Sequence, residues 1–339
     1  MGYFRCSFVA LLQRGFREGP FIEPHIEQAF SPEHLAAACA PWAISAEHVQ
    51  LVGETESFVF RSERDRLVLR STHTSHRSTA ALEAELDFVR FLRARGLPVC
   101  GPVLSRSGHE WHAVGDDWHV CCFEQARGEP VLRSEPRSWN ARLFERWGET
   151  LARFHEAAQS YAPPAGRPER GAWFEDDLII GQHFPPEEAD LAERLARLVE
   201  QLKARARSPS SFGLIHADLH SNNFFAASDG ALSVFDFDDA CQHWFSFDLA
   251  VIALQLPRGV PTAERQAIWD QILAGYRRVL PLPPDFQAEM PLMMKLRALQ
   301  LQQFMHKKWR PAEGEAARRA RLAAAAQAIR DDAPFDVKL

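Results

Sequence analysis

The sequence predicts an α+β fold of two unequal lobes, a small antiparallel sheet with one long helix followed by a larger, mostly helical part. Three observations carry that expectation. Short runs with strand patterning crowd the first third of the chain, at residues 48–53, 56–61, 66–70, 109–114 and 118–124. Apolar residues at helical spacing mark 79–95 and 141–158. Beyond residue 247 the pattern is helical throughout, at 247–256, 262–279, 284–309 and 313–331. The boundaries expected are an extension at 1–30, a first lobe at 31–124 and a second at 125–339.

Residues 1–30 read as a loosely packed, disordered extension. Their apolar stretch, Ser7 to Leu12 after Arg5, is short and weakly flanked for a signal peptide, and Cys6 stands where an N-myristoylation pattern wants Ser or Thr. The first helix starts at Ser31, a good N-cap, with Pro32 in the first helical position. The polar turn Ser62-Glu63-Arg64-Asp65 joins the second and third strands. In the helix at 79–95, Leu82, Leu86, Val89 and Leu92 form the apolar stripe, and Glu85 lies inside it. A carboxylate on a buried face needs a cation, and Arg70, at the end of the third strand, is the candidate.

In the second lobe, Leu143, Phe144, Trp147, Leu151 and Phe154 share one face of a helix, with His155 packed beside them. Trp173-Phe174-Glu175-Asp176-Asp177 combines aromatics with carboxylates. It is either one wall of a site for a cationic substrate, with Glu175 facing it, or a solvated acidic turn. The helix at 284–309 carries Met290, Met293 and Met294, which read as core filler.

Composition narrows the function. At 339 residues the chain is long enough for two packed cores, and 46% hydrophobic with 25% charged residues is ordinary for a globular protein. A net charge of −6 without a sustained basic run argues against a nucleic-acid partner. No apolar run approaches a membrane span. The six cysteines show neither zinc spacing nor a dense disulfide framework, so a reducing cytoplasm is the expected compartment. The chain is expected to be a monomer or homodimer.

The densest chemistry lies in His216-Ala217-Asp218-Leu219-His220-Ser221-Asn222-Asn223, followed by Asp236-Phe237-Asp238-Asp239. Apolar segments flank the first run, and the turn Ser228-Asp229-Gly230 leads into a returning strand, Ala231 to Phe235. The resulting hairpin brings Asp236 back beside Asp218 and Asn223. Phosphoryl transfer from a metal nucleotide needs these groups: a carboxylate to orient the attacking hydroxyl and two oxygen ligands for magnesium. Asp218 is then the catalytic carboxylate, and Asn223 and Asp236 hold the metal. Asp238 is a candidate ligand to a second metal. His216 reads as a brace of the loop, and His220, Asp239, His243 and Trp244 are candidates to face the acceptor.

This pattern, with an apolar strand ending in Asp-Phe-Asp-Asp-Ala, resembles the aminoglycoside phosphotransferase-like kinases. That superfamily also includes homoserine kinase of the second type, choline kinase and stress response kinase A. The resemblance covers about residues 35–310. It implies a protein-kinase-like fold, ATP and magnesium as cofactors, and a small-molecule hydroxyl as acceptor; a protein acceptor is the alternative within the class. It also implies that Asp248 anchors the catalytic loop, that Arg127-Gly128-Glu129-Pro130 follows the hinge, and that Gly148 to His155 matches a core helix motif. By position, Gly53 and Ser57 sit in the phosphate-covering loop, and Cys122 and Glu124 lie in the hinge that meets adenine. Where these kinases place a phosphate-clamping lysine, this chain has Arg70; its lysines begin only at Lys203. Arginine supplies a permanent charge and a planar fork instead.

Two readings compete. The missing lysine and the single-glycine loop fit a nucleotide-binding pseudokinase. His216, Asp218, His220 and Asp236 also suit a zinc- or iron-dependent hydrolase. A calcium loop starting at Asp236 fails, because Cys241 takes the glycine position and Phe247 the glutamate position.

Overall fold

A computed structural model describes residues 22–256, 261–309 and 314–332. The first lobe is built on five antiparallel strands: β1 (Val49–Glu54), β2 (Ser57–Ser62), β3 (Leu67–His73), β4 (Trp111–Val114) and β5 (Trp118–Glu124). They are ordered β1-β2-β3-β5-β4. Ser62 makes the turn between β2 and β3, its hydroxyl donating to Asp65 Oδ2 at 2.6 Å. A register shift between Leu51 and Gly53 bends β1 where it passes into the loop before β2.

Two helices, α1 (Pro24–Ala29) and α2 (Pro32–Cys39), lie on this sheet. The Ser31 hydroxyl caps α2 by accepting from His34 N at 3.2 Å. Residues 22–30 correct the expectation of a loose extension. Ile22 and Ile26 are buried against Phe58, Phe60 and Trp118, and Lys308 reaches Glu23 at 2.8 Å; apolar burial and an ion pair hold the segment down. Residues 1–21 lie outside the described residues.

The long helix α3 (Thr79–Ala94) starts at Ser78, whose side chain accepts from Ala81 N at 3.2 Å. Its buried face holds Leu82, Leu86, Val89 and Leu92, with Glu85 among them. A two-residue strand, β6 (Glu129–Pro130), then leads into the second lobe.

The second lobe has one main core. Helices α4 (Ala141–Ala158), α5 (Asp177–Ile180) and α6 (Ala189–Lys203) precede the short strands β7 (Phe212–Ile215), β8 (Phe224–Ala226), β9 (Leu232–Val234) and β10 (Cys241–Trp244). Four helices follow: α7 (Phe245–Gln255), α8 (Thr262–Arg277), α9 (Phe286–Lys308) and α10 (Glu315–Arg330). Every residue of α7 is buried. Helices α4 and α8 cross at Gly148 and Gly275. A Cβ on Gly148 would stand 1.9 Å from the Ile272 carbonyl oxygen, and one on Gly275 would stand 2.0 Å from that of Glu145.

β8 pairs with both β6 and β9, and β7 pairs with β10. The catalytic-loop candidate therefore runs between β7 and β8, and Asp236 follows β9. Between the lobes, the Arg170 guanidinium donates to the Ala81 carbonyl of the first lobe at 2.9 Å and to that of Ala240 at 2.5 Å.

Candidate active site

Asp248, near the start of α7, organises the loop after β7. Its carboxylate accepts from Ala217 N at 2.7 Å and His216 N at 3.2 Å, and it lies 3.1 Å from His155 Nε2. His155 in turn meets the Tyr276 hydroxyl at 2.8 Å. Ala217 sits at φ 66°, a conformation that needs such anchoring in a residue with a side chain. The His216 ring spans the site, with Nδ1 taking Asp218 N at 3.3 Å and Nε2 donating to the Phe235 carbonyl at 3.2 Å. Both ring nitrogens are engaged within the fold, which argues against His216 as a metal ligand and takes one of its four ligands from the hydrolase reading.

Asp218 is held on three sides. One carboxylate oxygen pairs with Arg297 of α9. The other lies 3.2 Å from His220 Nε2 and accepts from Asn223 Nδ2 at 3.2 Å. Burial pushes the Asp218 carboxyl up, but the charges of His220 and Arg297 outweigh it and hold it below the ordinary range. Asn223 spends its amide nitrogen on the Asp218 backbone and side chain, which leaves its amide oxygen for the cavity.

Asp236 stands across from this loop at φ 67°. Burial and the charges of Asp238 and Asp218 raise its carboxyl to about 7. No hydrogen-bond donor among the described residues reaches it. A carboxylate open to the cavity and without a donor fits a divalent cation, and with Asn223 it makes an all-oxygen donor set of the kind hard cations prefer.

Arg70 and Glu85 face these groups from the first lobe. The guanidinium donates both Nη atoms to the Glu85 carboxylate, at 2.9 and 2.6 Å, and Glu85 is 1% exposed. One cavity of about 980 Å³ joins Arg70, Glu85, Asp218, Asn223 and Asp236. Gly53, Glu124, Glu175, His220 and Asp239 also line it.

Ser57, Asp238 and Asp239 also line the cavity but are engaged by partners within the fold, whereas Cys122, His243 and Trp244 do not line it. Asp238 meets His76 Nε2 at 2.7 Å and Arg77 Nε at 3.1 Å, and its carboxylate clusters with Glu56 and His76. Asp239 pairs with Arg77 at 2.6 Å. The Ser57 hydroxyl is paired with Thr72 at 2.7 Å. Cys122 points into the core of the first lobe, and its carbonyl accepts from Val103 N at 2.8 Å. The hinge surface passes instead to Phe123, Glu124, Gln125 and Ala126. Trp244 and His243 are core residues: both pack against Trp173, and His243 stacks on Phe247.

Arg297, His76 and Arg77 are site residues the sequence analysis missed. Arg297 shares a helical face with Phe304 and Lys307, but nothing in the sequence ties that face to Asp218. For His76 and Arg77 nothing local distinguishes them from a polar turn.

The comparisons with known proteins agree with this geometry. The model of the phosphotransferase enzyme family APH matches residues 48–282. This chain belongs to that family. As a member, it is an ATP-dependent phosphotransferase acting on a hydroxyl group. It is similar to the amicoumacin kinase of Bacillus subtilis (strain 168), 27% identical over 300 residues that cover 84% of this chain and 88% of that one. It also resembles the homoserine kinase of Neisseria meningitidis serogroup B, at 25% identity over 61% of this chain and 65% of that one.

Among solved structures, an amicoumacin kinase in complex with AMP-PNP, Ca2+ and Ami superposes with a TM-score of 0.84 at 26% identity, covering 93% of this chain and 97% of that one. A microcompartment-associated aminopropanol kinase shares the fold, with a TM-score of 0.68 at 23% identity over 88% and 97% of the two chains. Both lobes of this APH-family enzyme thus lie within the shared architecture. Among the described residues no helix is long and apolar enough to cross a membrane.

Proposed function

We propose that this enzyme moves the γ-phosphate of magnesium-bound ATP to a hydroxyl of a small, amine-bearing molecule. The observation that carries the reading is the single cavity in which the Arg70–Glu85 pair, the Asn223–Asp236 oxygens and Asp218 converge. The similarity to an amicoumacin kinase solved with a nucleotide analogue and a divalent ion supports it. Asn223 and Asp236 would hold the metal. When bound there, a divalent cation neutralises phosphate charge and fixes the terminal phosphate.

The chain's own residues do the rest. Arg70, fixed by Glu85, offers a guanidinium to the α- and β-phosphates. Asp218 accepts the hydrogen bond of the acceptor hydroxyl and aims its oxygen at the γ-phosphorus. The new bond joins that oxygen to phosphorus, the bond to the β,γ-bridging oxygen breaks, and the hydroxyl proton passes to Asp218.

The lining charge supports an amine on the acceptor. Eleven carboxylates face the cavity against five arginine and lysine side chains, a field that draws in a cation. The test is ADP release from magnesium-ATP over a panel of homoserine, choline, ethanolamine, an aminoglycoside, sugars and a generic protein substrate. Turnover should appear with amine-bearing hydroxyl compounds and vanish in Asp218→Ala. Turnover with the protein alone would overturn the small-molecule acceptor. Nucleotide binding with no turnover would indicate a pseudokinase.

A further inference from the structure

Two glutamines at the α9 side of the cavity carry amide groups that nothing among the described residues uses. Gln255 closes α7 and is 7% exposed, and Gln300 lies on α9 three residues after Arg297. Both line the cavity. The amide oxygen of each is shut off from solvent without a hydrogen-bond partner, and no partner among the described residues takes the amide nitrogen of either. A buried amide left in that state forfeits its hydration, so such groups are nearly always matched by protein, water or ligand.

A neighbour on the same helix shows the contrast. Gln303 accepts from His183 N at 3.0 Å and donates to the Leu178 carbonyl, so both ends of its amide are used in the fold. Gln125 and Gln302 also leave an amide oxygen unpaired but spend their nitrogens on Glu63 and Glu188, so Gln255 and Gln300 are the cavity glutamines with neither end paired among the described residues. Arg297, Gln300, Leu301, Phe304 and Lys307 all line it, at the spacing of one helical face. Arg297 itself touches Asp218, and Gln300 follows it about one helical turn along α9 on the same wall of the cavity.

We propose that Gln255 and Gln300 form the acceptor-recognition subsite, taking an N–H donor of the acceptor whose hydroxyl is phosphorylated. The inference rests on the small-molecule acceptor reading above. An ammonium and a carboxamide share the required chemistry, because each offers N–H groups to an amide oxygen that turns toward it. The carboxylate-rich lining disfavours an anion in the same place. Discrimination follows from the unmatched oxygens: an acceptor with a hydroxyl in place of the nitrogen satisfies them less fully.

The experiment compares kcat/KM for three matched series: ethanolamine, propanolamine and butanolamine; the hydroxy-carboxamides of the same length; and the corresponding diols. The wild-type enzyme should prefer an N–H-bearing series over the diols by about tenfold or more, the scale of one hydrogen bond to a buried group. Gln300→Leu and Gln255→Leu should collapse that ratio. Gln300→Glu, which keeps the shape, should raise the ratio if the donor is an ammonium and lower it if the donor is a carboxamide.

Equal use of all three series by the wild type would overturn the subsite while leaving the small-molecule reading intact. Leucine variants that slow all series by the same factor would also overturn it, since a merely structural role predicts that result. No turnover with any series while another small molecule of the panel is phosphorylated would overturn the subsite alone, and no turnover with any small molecule, nucleotide still binding, would overturn both.

Discussion

Arg70 shows how one residue type changes the phosphate clamp without removing it. Its fork is satisfied by a Glu85 carboxylate that is itself buried, so the pair is preset before nucleotide arrives. Arg70→Lys keeps the charge but loses the fork, and should raise the KM for magnesium-ATP by about tenfold. Arg70→Leu strands a buried carboxylate and should cost about 3–5 kcal/mol of stability, read by denaturant unfolding. Arg297 acts through Asp218 as a positioning residue. Arg297→Leu should lower kcat by roughly 10- to 100-fold with little change in the KM for magnesium-ATP, and Arg297→Lys should recover part of the loss. Equal loss in both variants would contradict a role for the charge. Asp218, Asn223 and Asp236 were legible in the sequence because they fall within nineteen residues of one another, on elements whose turn signals were plain. Arg297 was not, because it lies 79 positions away and only the packing of α9 on α7 brings it in.

Elements with strong periodicity were read with bounds close to those observed. Helix α4 was expected at 141–158 and spans Ala141–Ala158, because Asn140 caps it by accepting from Leu143 N at 3.1 Å. Helix α6 went unread, although Leu191, Leu195, Leu198, Val199 and Leu202 carry the spacing. Nothing chemical drew attention to it, and it begins without a capping side chain. The α4–α8 crossing was also invisible, since two separated glycines announce no contact. Gly148→Ala and Gly275→Ala should each destabilise by about 1–3 kcal/mol, because the obstacle in both cases is backbone that cannot rotate aside. Thermal melting checks this, and an unchanged midpoint for both would show that the helices separate easily.

At the scale of the molecule, the site exists only where the lobes meet. Arg77 ties the loop before α3 to Asp238 and Asp239, Arg170 spans Ala81 and Ala240, and Lys308 pairs with Glu23. A ligand that bridges the lobes should therefore stabilise the whole chain. Magnesium-ATP at a hundred times its dissociation constant should add about 2.7 kcal/mol, and EDTA should remove most of that shift. The two-lobe organisation could be read from the sequence because strand and helix patterns segregate along it. These inter-lobe pairs could not, since each joins residues whose local patterns carry no trace of the other.

The central claim is that Asp218 serves transfer while Asn223, Asp236 and Arg70 serve nucleotide binding. Its most direct test is a single-turnover transfer of labelled γ-phosphate by Asp218→Asn, run beside calorimetric titration of magnesium-ATP into the same variant. The account predicts nucleotide affinity near that of the wild type and transfer slower by at least about a hundredfold. Transfer at the wild-type rate, or loss of nucleotide binding with transfer, would contradict it.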